Sequence, residues 1–100
     1  MLHFDLATVE EICVELASRL RAHRLAQNIT QAALAGRAGI SMGTVRNFES
    51  KGQTTLESLI KIVMALGLAA SLSDLFVLRA TTIRDMEKAS VRRQRAGSAR

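Results

Sequence analysis

Between Ser41 and Lys51 the chain reads SMGTVRNFESK, and its residue types separate by position. Val45 and Phe48 stand three apart, so in a helix they share one face and turn it inward. Met42, Gly43, Thr44, Arg46 and Asn47 are then left facing out, a small, polar and basic strip. Such a strip suits contact with the floor of a DNA major groove, where amide, hydroxyl and guanidinium groups meet base edges. Catalysis finds no comparable set. The only imidazoles are His3 and His23, Cys13 is the sole thiol, and no paired carboxylates, metal-ligand spacing or nucleophile with a base can be assembled. Gly36, Gly39, Gly43 and Gly52 read as caps and close-packing points, since no strand precedes them to make a phosphate loop. The expectation is a protein that is not an enzyme and holds no metal or cofactor.

The elements that position this strip are legible on either side of it. Thr30 caps a helix over residues 31–38, in which Ala33, Leu34 and Ala38 share a face, and Gly39 is placed to end it in the left-handed conformation. Ile40 fills the corner. Ser41 caps a second helix over 42–50, and Gly52 closes it. Two short helices at a fixed distance across a glycine turn make a helix-turn-helix. Units of this shape also occur in all-α domains that bind no DNA, so spacing alone leaves both readings open.

Elsewhere the pattern is helical throughout. Thr8 and Glu11 form a capping box for a long first helix running to about Ala26, with Ile12, Leu16, Leu20 and Cys13 on its inward stripe. Thr54 or Thr55 caps a fourth helix whose Leu56, Leu59, Ile60, Val63 and Leu66 form a core face, and Gly67 stops it. A short helix from about Ser71 to Phe76 follows, and Thr82 with Asp85 suggests another. The chain of 100 residues lacks proline, tryptophan and tyrosine, and 48% of it is apolar. That composition supports one small all-α domain. It divides into an N-terminal arm (1–8), a helix-turn-helix domain (9–78) and a basic C-terminal extension (79–100) that is expected to be partly disordered. No apolar run reaches transmembrane length and no secretory leader is recognisable, which places the expected location in the cytoplasm. Cys13, between Ile12 and Val14, reads as a small buried hydrophobe.

Charge is unevenly spread behind the formal net of +5. Residues 1–18 balance at −4 through Asp5, Glu10, Glu11 and Glu15. Residues 19–51 balance at +5, with Arg19, Arg21, Arg24, Arg37, Arg46 and Lys51 against Glu49 alone. Residues 79–100 reach +5 again, seven cations opposing Asp85 and Glu87. The first positive stretch coincides with the helix-turn-helix, where phosphates would pass.

Five landmarks in order carry a family resemblance: Arg24 in RLAQN, the Thr30-Gln31 pair, the Ala38-Gly39 turn, Glu49, and the LESLIKIVMALGL helix. From roughly residue 19 to 76 the chain resembles the phage-repressor and Cro type of helix-turn-helix domain, the XRE family. The resemblance implies a compact five-helix bundle of the lambda-repressor-like kind, here with an extra N-terminal arm and a C-terminal helix or tail. It implies that Gln31 bonds a backbone phosphate and buttresses the recognition helix, and that Ser41, Met42, Gly43, Thr44 and Asn47 face the bases. Within that frame Asn47 suits adenine, Thr44 a thymine methyl or a phosphate, and Arg46 a guanine or the backbone. Ser50 and Lys51 would hold phosphates. Arg24 and Glu49 fall where the family places a partly buried ion pair, which removes Arg24 from the list of DNA contacts. Gly43 departs from the pattern, since a longer side chain is usual there, and this shifts specificity towards DNA shape.

The apolar residues Leu2, Phe4, Leu6, Leu75, Val77, Leu78 and Ile83 either complete the monomer core or meet a second copy; on family grounds a homodimer on an inverted repeat of double-stranded DNA is expected. The segment MLHFDLATV alternates as a short strand or an apolar arm would. Two functions remain open. One is a sequence-specific regulator, acting as a repressor. The other is an antitoxin that neutralises a toxin protein and represses its own operon, because DLFVLRATTIRDMEKASVRRQRA is similar to the tails of HipB-like antitoxins.

Overall fold

A reciprocal pair of hydrogen bonds starts the fold. Thr8 Oγ1 accepts from the Glu11 backbone N–H at 3.1 Å, and Glu11 Oε1 accepts from the Thr8 N–H at 3.0 Å, so two otherwise orphaned donors are satisfied at once. The helix this opens, α1, spans Val9–Ala26. In the computed structural model, which describes residues 2–78, three more α-helices follow: α2 (Gln31–Ala38), α3 (Met42–Lys51) and α4 (Leu56–Ala65). Thr30, Ser41 and Thr55 cap them, each hydroxyl accepting from the backbone N–H three residues on at 3.0 to 3.1 Å. Of the two threonines before α4, Thr55 is the cap. Gly39 and Gly52, both at φ +70°, end α2 and α3 in the left-handed region as expected from sequence. α3 runs one residue past its expected end.

α3 packs against both α1 and α2, and α4 packs against α2. The shared core is Ala17, Leu34, Ala35, Val45, Phe48, Ile62 and Leu66, with Leu20, Ile29, Ile40 and Leu59 closing around it. Each of the larger side chains contributes about 2 kcal/mol by leaving water. The end of α1 is tied to the end of α4 by Gln27, whose Nε2 donates to the Leu66 carbonyl at 2.8 Å. Asn28, at φ +59°, turns the chain from α1 towards α2 in a conformation its short polar side chain tolerates.

Several expectations change. On α1 the buried positions are Ala17 and Arg24; Ile12, Cys13 and Leu20 are half-buried, and Leu16 lies at the exposed margin. Of the expected core face of α4, Val63 and Leu66 are buried, but Leu56 and Ile60 are exposed and Ile62, not among the expected residues, is the most buried. Glu57 and Lys61 pair on the outward side at 3.2 Å, and the apolar positions flanking that side, Leu56 and Ile60, share its exposure. In place of a fifth α-helix from Ser71, a 3-10 segment spans Ala69–Leu72 and turns continue to Phe76. Ser73 Oγ bonds back to the Ala70 carbonyl at 2.8 Å and Phe76 takes φ +56°, both of which favour turns over an extended helix. The N-terminal arm is no strand: Phe4–Leu6 forms a 3-10 turn, and the Phe4 ring lies 5.1 Å beneath the Arg19 guanidinium on α1. The helix expected from Thr82, and Ile83, lie outside the described residues.

Gly52 fixes how closely α3 approaches α1. A Cβ there would stand 2.7 to 2.9 Å from the backbone of Cys13 and Val14, neither of which can rotate away. Gly52→Ala is therefore expected to cost about 2–4 kcal/mol through backbone strain plus overlap. Gly36, inside α2, meets no atom within 4 Å, and Gly36→Ala is expected to stabilise by about 0.5–1 kcal/mol. Urea titrations of the two variants check the contrast, and equal behaviour would contradict the packing of Gly52.

Candidate nucleic-acid interface

α3 presents the strip that the sequence assigned to it. Val45 and Phe48 are buried, which holds the opposite face outward with Met42, Gly43, Arg46 and Asn47 exposed and Thr44 half-buried. At its start the Ser41 and Thr44 hydroxyls are paired at 2.7 Å, so these two side chains are fixed relative to each other. Asn47 Nδ2 donates to the Gln53 carbonyl at 3.1 Å, which uses one of its two hydrogens and leaves the second hydrogen and Oδ1 free for a base edge. Ser50 Oγ bonds its own helix at the Asn47 carbonyl, at 3.3 Å. Lys51 stands exposed at the last position of the helix.

Beside this strip runs an open trough of about 520 Å³, lined by Ser41, Gly43, Thr44 and Asn47 from α3 and by Gln53, Thr54, Thr55 and Ser58 from the loop and the start of α4. Every lining side chain is neutral, and seven of the eight residues, all but Gly43, bear a side-chain hydroxyl or amide. The N-caps of α3 and α4 both border it, so two positive helix ends look into one polar channel. That is a chemistry for backbone oxygens of an anionic chain. Gln53, Thr54, Thr55 and Ser58 were not singled out by sequence reasoning. The pair of threonines signalled only a cap, because nothing local shows that the start of α4 lies alongside α3.

Behind the strip, Glu49 gathers three helices. Arg24 of α1 meets it in two parallel bonds, Nε to Oε2 at 2.7 Å and Nη2 to Oε1 at 2.9 Å, with side chains only 8% and 5% exposed. The remaining arm of the guanidinium, Nη1, donates to the Ile29 carbonyl at 2.8 Å. Gln31 at the start of α2 donates through Nε2 to Glu49 Oε1 at 3.1 Å, which is the buttress the resemblance implied. Arg21 stands 3.8 Å from the same oxygen. Burial pushes the Glu49 carboxyl up, but the hydrogen bonds of Arg24 and Gln31 and the charges of Arg24 and Arg21 outweigh it, so it titrates below the ordinary value of 4.5.

The cations expected to face phosphates are sorted by the fold. Arg24 is internal, Arg21 leans on Glu49, and Arg19 bonds Glu15 at 2.8 Å while covering Phe4. Arg37, Arg46 and Lys51 are exposed and make no ion pair among the described residues. The single charge of Glu49 cancels only one of Arg24 and Arg21, so the positive field of this stretch rests on Arg37, Arg46 and Lys51 together with the exposed Arg21.

A group with a depressed folded pKa stabilises fully above its unfolded pKa, and that contribution is lost as pH falls through the folded value. Glu49→Gln leaves Arg24 buried beside an uncharged amide and is expected to cost about 3 kcal/mol near neutrality. In urea titrations the gap to the parent protein is expected to narrow as pH is lowered from about 7 to about 3. A gap independent of pH would mean that the charge of Glu49 is not what holds the pair.

A family model described as helix-turn-helix matches residues 20–73, from the middle of α1 to just past the 3-10 segment. No curated protein matches the chain. The span matched is more than half of the sequence and contains α2, α3, the Glu49 cluster and the trough. The chain belongs to the XRE-type helix-turn-helix family of DNA-binding transcription regulators.

Proposed function

We propose that this protein is a dimeric repressor that lays α3 in the major groove of each half of an inverted repeat. The observation that carries the reading is the rigid outward face of α3, with Arg46 and Asn47 exposed at its centre and the neutral trough beside it. Base discrimination falls to Arg46, Asn47 and Thr44, with Met42 for apolar contact. Backbone phosphates fall to Ser50, Lys51 and the hydroxyls of the trough, and Gln31 braces the helix through Glu49. With no side chain at Gly43, few direct contacts are available, so part of the specificity comes from the shape of the operator.

Two copies place two recognition helices about one DNA turn apart. The consecutive Leu75, Phe76, Val77 and Leu78, exposed by 51, 97, 52 and 70%, supply an apolar surface for that association. The same surface supports the second reading, an antitoxin that binds a toxin protein and represses its own operon. Co-purification of a second protein with the tagged chain separates the two, and sedimentation of Phe76→Glu tests the homodimer by its mass.

Titration against the DNA upstream of its own gene, at several salt concentrations, tests the central claim. Arg46→Ala with Asn47→Ala is expected to weaken operator binding by about 10- to 100-fold per lost base contact and to leave binding to random DNA nearly unchanged. Lys51→Ala is expected to weaken both equally and to reduce the slope of log affinity against log salt by about 0.9. Undiminished site preference in the double variant would remove α3 as the reading element.

A further inference from the structure

Three apolar side chains of α4 stand in water although the helix belongs to the core. Leu56, Ile60 and Met64 are 71%, 36% and 61% exposed, and their spacing of four residues lines them up on one face. Scattered apolar residues are ordinary on a surface, but a contiguous row marks a contact. Along one edge of the row lie Glu57 and Lys61, paired at 3.2 Å with side chains 79% and 43% exposed. Along the other edge lie Leu59, half-buried, and Val63, buried against the protein. The face is therefore charged on one side only. The polar trough borders α4 through Thr55 and Ser58 and shares none of these residues, so the two surfaces can be occupied together.

The pattern of the row indicates what covers it. About Ile60 it reads the same from either end of the helix, with an exposed apolar residue four positions to each side. Two copies of α4 packed antiparallel about a two-fold axis at Ile60 set Leu56 against Met64 of the second copy and Ile60 against itself. Because that axis stands perpendicular to both helices, their charged edges adjoin. Position 57 lies opposite position 63 of the second copy, and Lys61 there is two residues, about 3 Å, along the axis, within the span of its side chain. The same two-fold brings Lys61 to Glu57 of the second copy. A carboxylate has two oxygens and an ammonium three hydrogens, so the four charges close a ring of alternating sign while each internal pair stays in place. In a parallel pair the edges adjoin crosswise, and the charges meet only the Leu59 and Val63 side. Charge thus selects one occupant and one direction.

We propose that the outward face of α4 is a self-association surface, on which α4 of a second copy packs antiparallel through Leu56, Ile60 and Met64 and exchanges ion pairs between Glu57 and Lys61. The assignment rests on the homodimer reading and gives it a surface of defined register.

Sedimentation of the full chain without DNA reads the association. Glu57→Lys or Lys61→Glu alone sets like charges opposite each other and is expected to weaken it about tenfold. The two variants mixed place opposite charges at every crossing and are expected to associate at least as tightly as the parent protein. Disulfide trapping in the Cys13→Ala background, which removes the only native thiol, fixes the direction. Leu56→Cys and Met64→Cys chains are expected to join to each other and neither to itself, since like positions stand about 12 Å apart along the axis, beyond disulfide reach. A monomer at every concentration would remove the homodimer reading and this surface together. A dimer that Phe76→Glu splits but both charge variants leave intact, or Leu56→Cys chains that join to one another, would overturn the α4 contact alone.

Discussion

The Glu49 carboxylate is the point on which the geometry of the whole domain converges. It belongs to the helix that faces outward, yet it is satisfied from α1 by Arg24 and Arg21 and from α2 by Gln31. A buried guanidinium is costly to desolvate, and here all three of its arms are occupied, two by Glu49 and one by the Ile29 carbonyl. The fork constrains rotation of α3 about its own axis more tightly than apolar contact does, because charged hydrogen bonds are directional and apolar packing is not. Apolar packing sets which face of α3 is inward; the ion pair sets the angle within that face.

Composition overstates the electrostatic strength of the DNA-facing surface. Of six cationic charges between residues 19 and 51, two are cancelled within the protein, one by Glu49, which Arg24 and Arg21 share, and that of Arg19 by Glu15. What remains beside α3 is a channel of hydroxyl and amide groups under two helix N-termini. Dipoles of this kind attract phosphates without releasing many counterions, so affinity drawn from them depends less on salt than affinity drawn from lysine and arginine. Neutral donors also require close, shaped contact, which ties binding to the local course of the DNA backbone.

Much of this was legible in the sequence because it is local. A hydroxyl three residues before its N–H partner marks a helix start, and Thr8, Thr30 and Ser41 each do so; a glycine after an apolar run marks a stop, as at Gly39 and Gly52. The outward strip of α3 followed from the spacing of Val45 and Phe48. The Arg24–Glu49 pair came from the family resemblance, since 25 residues separate them and no spacing rule links them. What could not be read was set by tertiary approach. Leu56 and Ile60 share α4 with Ile62, and the packing of α4 against α2 leaves Ile62 inside and the other two exposed. The contact of Gly52 with the Cys13 and Val14 backbone, and the meeting of the α4 start with α3, likewise arise between elements distant in sequence.

The contacts that hold α3 bear on how it would distinguish sequences on the proposed reading of bases by this helix. α3 is held near its end by Gly52 against α1, at its inner face by Glu49, and at its start by the Ser41–Thr44 pair, while Asn47 is braced on the following loop. These contacts limit how far the helix, Thr44 and Asn47 can adjust, whereas the exposed Arg46 side chain is not held in this way. Gly43 offers no side chain that could adjust. Much of the adjustment must then come from the DNA, whose bending and groove width cost different amounts in different sequences. On the proposed reading, discrimination by a firmly held helix against a deformable partner does not require contact at every position, and base pairs beyond the reach of Arg46 and Asn47 would also contribute to the choice of site.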